Sequence, residues 1–144
     1  MQGPGSYTTH VTSQPSPPAL GVRHVALRFV DLAAAERFFV DVLGYAVEWR
    51  PDSDNVYLVR ERDNVALHRI EAAVPRERSR GELLDHIGLL VPAPGDVDRW
   101  AEWLDAHGAT VLARPRTHRD GARSLYVAGP EGLVVQLIHH PPIA

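Results

Sequence analysis

The feature that most constrains this chain is that it is written twice. Val22-Arg23-His24-Val25-Ala26-Leu27-Arg28-Phe29 and Leu84-Asp85-His86-Ile87-Gly88-Leu89-Leu90-Val91 are both short apolar runs carrying one histidine. Each is followed by a turn, an amphipathic stretch and further strand-like segments. One unit of this size leaves its sheet open to water, so two must pack together to close a single core. If the copies pair, His24 and His86 become neighbours, and a search for function starts there.

In order, residues 1–20 are rich in Pro, Ser, Thr and Gly, which predicts a disordered or loosely docked arm. His10 lies in that arm and is given no role. Val22–Phe29 reads as a strand with His24, Ala26 and Arg28 on one face and Val25, Leu27 and Phe29 on the other. Asp31 is placed to cap a helix over 32–43, with Gly44 as its left-handed stop. Leu32, Ala35, Phe38, Phe39, Val42 and Leu43 form that helix's apolar stripe. Strands follow over 46–50, 56–60 and 65–70, joined by turn-rich Pro51–Asp54 and Glu61–Asn64.

A charged linker, 71–82, separates this first module, 21–70, from the second, 83–140. There the pattern restarts with a strand over 85–91, a helix over 96–107, the stop Gly108 and strands near 110–114, 123–128 and 133–139. Val97, Trp100, Ala101 and Leu104 face the core, with Trp103 widening the stripe. Asn64–His68 is read as the counterpart of Gly132–Gln136. Pro141-Pro142 ends the domain. The fold class is α+β: paired βαβββ modules forming a curved, mixed sheet flanked by helices.

Composition narrows the chemistry. A chain of 144 residues with 44% hydrophobic and 23% charged residues suits one ordinary globular domain. No apolar run is long enough to span a bilayer and Met1–Leu20 lacks the pattern of a secretory signal, so the expectation is no membrane partner and a cytoplasmic location. A net charge of −3 argues against nucleic acid, which usually needs a basic stripe. With no cysteine, any metal must be held by His, carboxylate or amide donors. All basic residues are Arg, so a Schiff-base lysine is excluded. Phosphate-binding loops, dinucleotide glycine patterns and a serine nucleophile elbow are missing too.

The order of elements, "RHVALRF" opening one unit, "DHIGLLV" opening the other and "SLYVAGPEGLVVQLI" closing the chain resemble the vicinal oxygen chelate superfamily over residues 21–140. That group includes glyoxalase I, extradiol dioxygenases, methylmalonyl-CoA epimerase, fosfomycin-resistance enzymes and bleomycin-binding proteins. The resemblance implies metal ligands at His24 and His86. It places Gln136 where the family has a carboxylate, and His68 where glyoxalase-like members have a Glu. It also implies a homodimer with sites near the interface. Fold and activity separate widely in such groups.

Three His and one Gln would leave a divalent ion (Fe, Zn, Ni, Co or Mn) most of its charge, favouring a small anionic substrate such as an enediolate, catecholate, phosphonate or carboxylate. The two-His-one-carboxylate iron triad is incomplete. Glu48 is a candidate general base if it points into the cavity, against a solvated edge residue. Arg28 could pair with the substrate's charge, and Ser124 and Tyr126 could hydrogen-bond it. Tyr57 and Trp49 are read first as core packing and second as an aromatic wall. His118 is either a loop ligand for an acidic group or plainly solvated; His107 suits a helix end, and His139 and His140 are assigned no chemistry. Two classes remain: a metal-dependent lyase, isomerase, transferase or dioxygenase, and a metal-free, antibiotic-sequestering binding protein.

Overall fold

A computed structural model describes residues 17–18, 22–71 and 84–140. The arm with His10, most of the linker, and Pro141-Pro142 lie outside the described residues. The first module runs β1 (His24–Phe29), α1 (Leu32–Arg37), a π-helical turn (Phe38–Val42), β2 (Ala46–Asp52), β3 (Asn55–Val59) and β4 (Asn64–Arg69). The second runs β5 (Ile87–Leu90), α2 (Pro94–Ala106), β6 (Val111–Thr117), β7 (Arg123–Ala128), a short 3-10 turn (Pro130–Gly132) and β8 (Val134–His139).

Among the described residues the two copies do not pair strand to strand. Each makes its own four-stranded mixed sheet, in the orders β1-β4-β3-β2 and β5-β8-β7-β6, so β1 and β5 are both edge strands. β6 is also an edge, which is why it runs on through Pro115 to Thr117 without losing a needed ladder bond.

Asp31 caps α1 as expected, its Oδ1 accepting from Ala34 N at 3.0 Å. The helix then widens: Leu43 N donates to Phe38 O at 3.1 Å, five residues back. Gly44 follows at φ 79° and Gly108 at 68°, the left-handed stops both helices require. Ala93 has no side chain able to cap α2, so Asp96 reaches back to its N–H at 3.0 Å, with Pro94 in the first turn.

Each helix packs on its own sheet. Phe39, Leu43, Val97 and Leu104 are fully buried against Val56, Leu58, Leu67, Leu125, Val127, Val135 and Leu137 in one core shared by both modules. Burying each of the larger side chains contributes about 1.5–3 kcal/mol. Polar and ring contacts among the described residues also tie the modules together. Trp103 Nε1 donates to Val42 O at 2.9 Å, the Arg60 guanidinium lies 5.8 Å from the Trp100 ring centre, and Glu131 accepts from the N–H groups of Val30 and Asp31 at 2.8 and 2.9 Å. Trp103 therefore serves the module junction, 46% exposed, rather than widening the core stripe.

Strand register fixes how the copies correspond. Ala26 pairs with Ala66 and Tyr57 with Ala66; Gly88 pairs with Gln136 and Tyr126 with Gln136. Counted from the paired histidines, the counterpart of Gln136 is Ala66. The sequence alignment that matched Gln136 to His68 is two residues out of step, because strand patterns repeat every two residues and a slip of two leaves the faces unchanged.

Candidate functional site

The helix-facing sides of both sheets are core, so polar chemistry collects on the opposite faces. On the first sheet His24 projects from β1 beside Asn64 of β4, its register partner. His24 Nδ1 lies 2.6 Å from Asn64 Oδ1, and Asn64 Nδ2 donates to Glu48 Oε2 at 2.8 Å. The second bond settles the first: with the amide nitrogen committed to a carboxylate, the oxygen must face the ring, so Nδ1 carries the proton. Nε2 is left with the lone pair.

Glu48 reaches this face because β2 bulges. Val47 pairs with Leu58 and Trp49 with Tyr57, so Glu48 is the extra residue. Adjacent residues Glu48 and Trp49 thus serve the same face. Trp49 stacks on Tyr57 with ring centres 5.1 Å apart and is 58% exposed. Core packing, the first reading for this pair, is overturned for Trp49 by the bulge. Glu48 is itself exposed, not set in an apolar pocket.

His68 repeats the device one step along the sheet. Its Nδ1 lies 2.5 Å from Asn55 Oδ1, and Asn55 Nδ2 donates to both oxygens of Asp52 at 2.8 and 3.0 Å. The Asp54 N–H and the Asn55 amide hold the Asp52 carboxyl below the usual carboxylate range. Each histidine on this sheet is therefore held by an asparagine that is held by a carboxylate. Neither asparagine stood out in the sequence, where both look like turn residues; Asn64 lies four residues from His68 on the same strand, but Asn55 is thirteen residues from the histidine it holds.

On the second sheet His86 Nδ1 lies 2.6 Å from Asp85 Oδ2, and its ring meets Tyr126 edge-to-face at 5.3 Å. Gln136 Nε2 donates to the Tyr126 hydroxyl at 3.0 Å, which leaves Oε1 as the amide's donor atom for a metal and leaves the Tyr126 proton to give elsewhere. Gln136 is buried. A Cβ on Gly88 would come 3.5 Å from Gln136 Oε1. Ser124, 2% exposed, is engaged by His118 Nε2 at 2.7 Å, so His118 folds back onto the sheet instead of standing in solvent. His107 rests on the helix end, Nδ1 at 2.8 Å from Trp103 O, as expected. His140 lies 3.7 Å from Asp120.

A cavity of about 690 Å³ opens along the free edge of β1 between the modules. Ala26, Arg28, Phe29 and His68 line it from the first module, and Leu84, Asp85, Glu131 and Val134 from the second. His24, His86 and Gln136 do not line it. Arg28 pairs across the ladder with His68. At about 3.3 Å per residue, four residues separate the level of His24 from that of His68 by about 13 Å along the strands.

The donor chemistry fits a divalent metal. His24 and His86 both have Nδ1 committed to an oxygen acceptor and Nε2 available, the arrangement that orients ligating imidazoles, and Gln136 offers an amide oxygen with its nitrogen tied back. The donors are divided, His24 on one sheet and His86 with Gln136 on the other. Among the described residues no group of three His, Asp or Glu is gathered in one place.

Comparison with known proteins adds the family. The family model described as "Glyoxalase/Bleomycin resistance protein/Dioxygenase superfamily" matches residues 21–137. The chain is 30% identical over 159 residues to a 2-epi-5-epi-valiolone epimerase of Actinomyces sp, covering 91% of this chain and 85% of that one. It is 27% identical over 121 residues to a 2,2',3-trihydroxybiphenyl dioxygenase of Sphingomonas paucimobilis, covering 81% of this chain but 40% of that one. A glyoxylase/bleomycin resistance protein/dioxygenase domain from Frankia sp. EAN1pec superposes with a TM-score of 0.74 at 19% identity, covering 86% of this chain and all of that one. That last likeness establishes the fold. No helix among the described residues is long and apolar enough to cross a membrane.

Proposed function

The chain belongs to the Glyoxalase/Bleomycin resistance protein/Dioxygenase superfamily, and on that premise we propose that it is a metal-dependent enzyme acting on a small molecule with vicinal oxygens, in an epimerase-type proton transfer. The observation that carries this is the shared state of His24 and His86. Each is anchored through Nδ1 at 2.6 Å, so each offers Nε2 as a ligand. Gln136 is the third donor. A bound divalent ion would stabilise negative charge developing on chelated oxygens.

Around it, this chain's side chains have separable roles. Glu48 moves the proton: Asn64 holds one of its oxygens, leaving the other to take a proton from carbon next to the chelated oxygen. Tyr126, oriented by Gln136, hydrogen-bonds the substrate oxygen on which charge develops, and the carbon regains a proton on its opposite face from solvent, which completes the epimerisation. Epimerisation is favoured over ring-cleaving oxidation for two reasons. The epimerase relative is matched along most of both chains, and Gln136 stands where an iron triad would need a carboxylate.

The reading includes a homodimer. The donors sit on two sheets that are not hydrogen-bonded to each other; β1 and β5 have free edges; and Trp49 and Leu90, 58% and 74% exposed, leave apolar surface on those faces. A second copy would cover that surface and bring His24 of one chain toward His86 and Gln136 of the other.

The test is proton exchange. Metal-loaded protein given 2-epi-5-epi-valiolone in deuterium oxide is expected to place solvent deuterium in the substrate, and Glu48→Gln to stop it. Metal-loaded protein that binds this compound yet exchanges no proton would favour the second reading, a binding protein without turnover, which the neutral Gln136 supports.

A further inference from the structure

We infer that the cavity between the modules is a binding site for a hydroxyl-rich small molecule, with His68 as its hydrogen-bond acceptor and not a metal ligand. The inference goes beyond the metal-centred reading and does not need it.

Three observations exclude His68 from the metal shell. Its register counterpart on the second sheet is Ile138, while the counterpart of Gln136 is Ala66. It lies about 13 Å along the strands from the level of His24, and parallel side chains standing off one sheet do not converge over that span. It lines the inter-module cavity, which His24, His86 and Gln136 do not.

The same geometry says what His68 binds. Asn55 Oδ1 accepts from Nδ1 at 2.5 Å, and Asn55 cannot rotate because Asp52 holds its amide nitrogen. Nδ1 is therefore the nitrogen tied to the protein, and Nε2 is the ring atom left to meet an O–H group of a ligand. The other polar groups of the cavity agree. Asp85 and Glu131 contribute two carboxylates against one guanidinium, Arg28, so the cavity carries no surplus positive charge for an anion. The apolar walls Ala26, Phe29, Leu133 and Val134 suit the carbon face of a cyclic polyol.

The experiment uses full-length protein with ¹⁵N-labelled histidine, titrated separately with myo-inositol, inorganic phosphate and Zn²⁺. Inositol is expected to shift the His68 Nε2 signal, phosphate to leave it in place, and Zn²⁺ to move His24 and His86 but not His68. His68→Leu should weaken inositol binding at least fivefold. Asn55→Ala, which frees the ring without removing it, should weaken it by a smaller factor; both should leave Zn²⁺ affinity within about twofold. A His68 signal moved by Zn²⁺ or by phosphate, or untouched by inositol, overturns the inference. Absence of any Zn²⁺ effect, with the inositol shift intact, would instead remove the metal reading and leave this one standing.

Discussion

At the scale of single residues, Asn64 decides more than its size suggests. It is 8% exposed, accepts from His24 and donates to Glu48, so one amide sets the tautomer of His24 and the direction of a carboxylate together. Asn64→Ala is expected to lower metal affinity by about 10–100-fold while the chain still folds, as checked by calorimetric titration beside a thermal melt. Unchanged affinity would show that His24 needs no such partner. The sequence made His24 and His86 readable because a lone polar residue in an apolar run breaks the pattern. It hid Asn64 and Asn55, since their meaning lies in which strand runs beside them, and that depends on tertiary register.

Secondary elements show where local rules were sufficient and where packing intervened. Both modules bulge at the same point of their second strand, at Glu48 and at Leu112, so the bulge belongs to the fold and the carboxylate to one copy only. Alternation along a strand predicts Glu48 and Trp49 on opposite faces; the bulge cancels that, and no residue type in Val47-Glu48-Trp49 announces it. The turns at Glu61 and Glu131 are another matched pair, both left-handed at φ 51° and 53°. Glu131 reaches the N–H groups of Val30 and Asp31. At the position matching Val30 the second module has Pro92, which has no N–H to offer. Glu131→Ala should therefore destabilise by about 1–2 kcal/mol and Glu61→Ala by clearly less, measured by urea unfolding.

Tyr45 adds a pH dependence at the same scale. It is buried, and burial first, then its bond to Asp63 at 2.5 Å, push its phenol well above the ordinary tyrosine range. A raised folded value means the stabilisation is fully present below the unfolded value of about 10 and is lost as pH rises beyond it. Tyr45→Phe should cost about 1 kcal/mol at neutral pH and flatten the alkaline loss of stability. An equally steep alkaline limb in the variant would assign that limb to another group.

At the scale of the whole molecule, the repeat made the two βαβββ modules legible from sequence, because helix stops, turn residues and strand periodicity recur in order. What it could not supply was how the copies sit: they share a core through their helices and turns instead of joining strand to strand. That arrangement motivates the dimer. Chains carrying His24→Ala and chains carrying His86→Ala should each fail to hold metal, yet a mixed dimer should contain one intact site. Recovery of bound metal on mixing the two, followed by elemental analysis, is the expected outcome; no recovery would place each site within one chain.

Metal binding by His24 and His86 is open to direct measurement. The most direct measurement is the metal content of protein purified without a histidine tag, with thermal melts on adding Zn²⁺, Ni²⁺, Co²⁺, Mn²⁺ or Fe²⁺. About one ion per chain or a clear rise in melting temperature, abolished by His86→Ala, is the expected result; no ion and no rise with any of the five would contradict a metal held by His24 and His86.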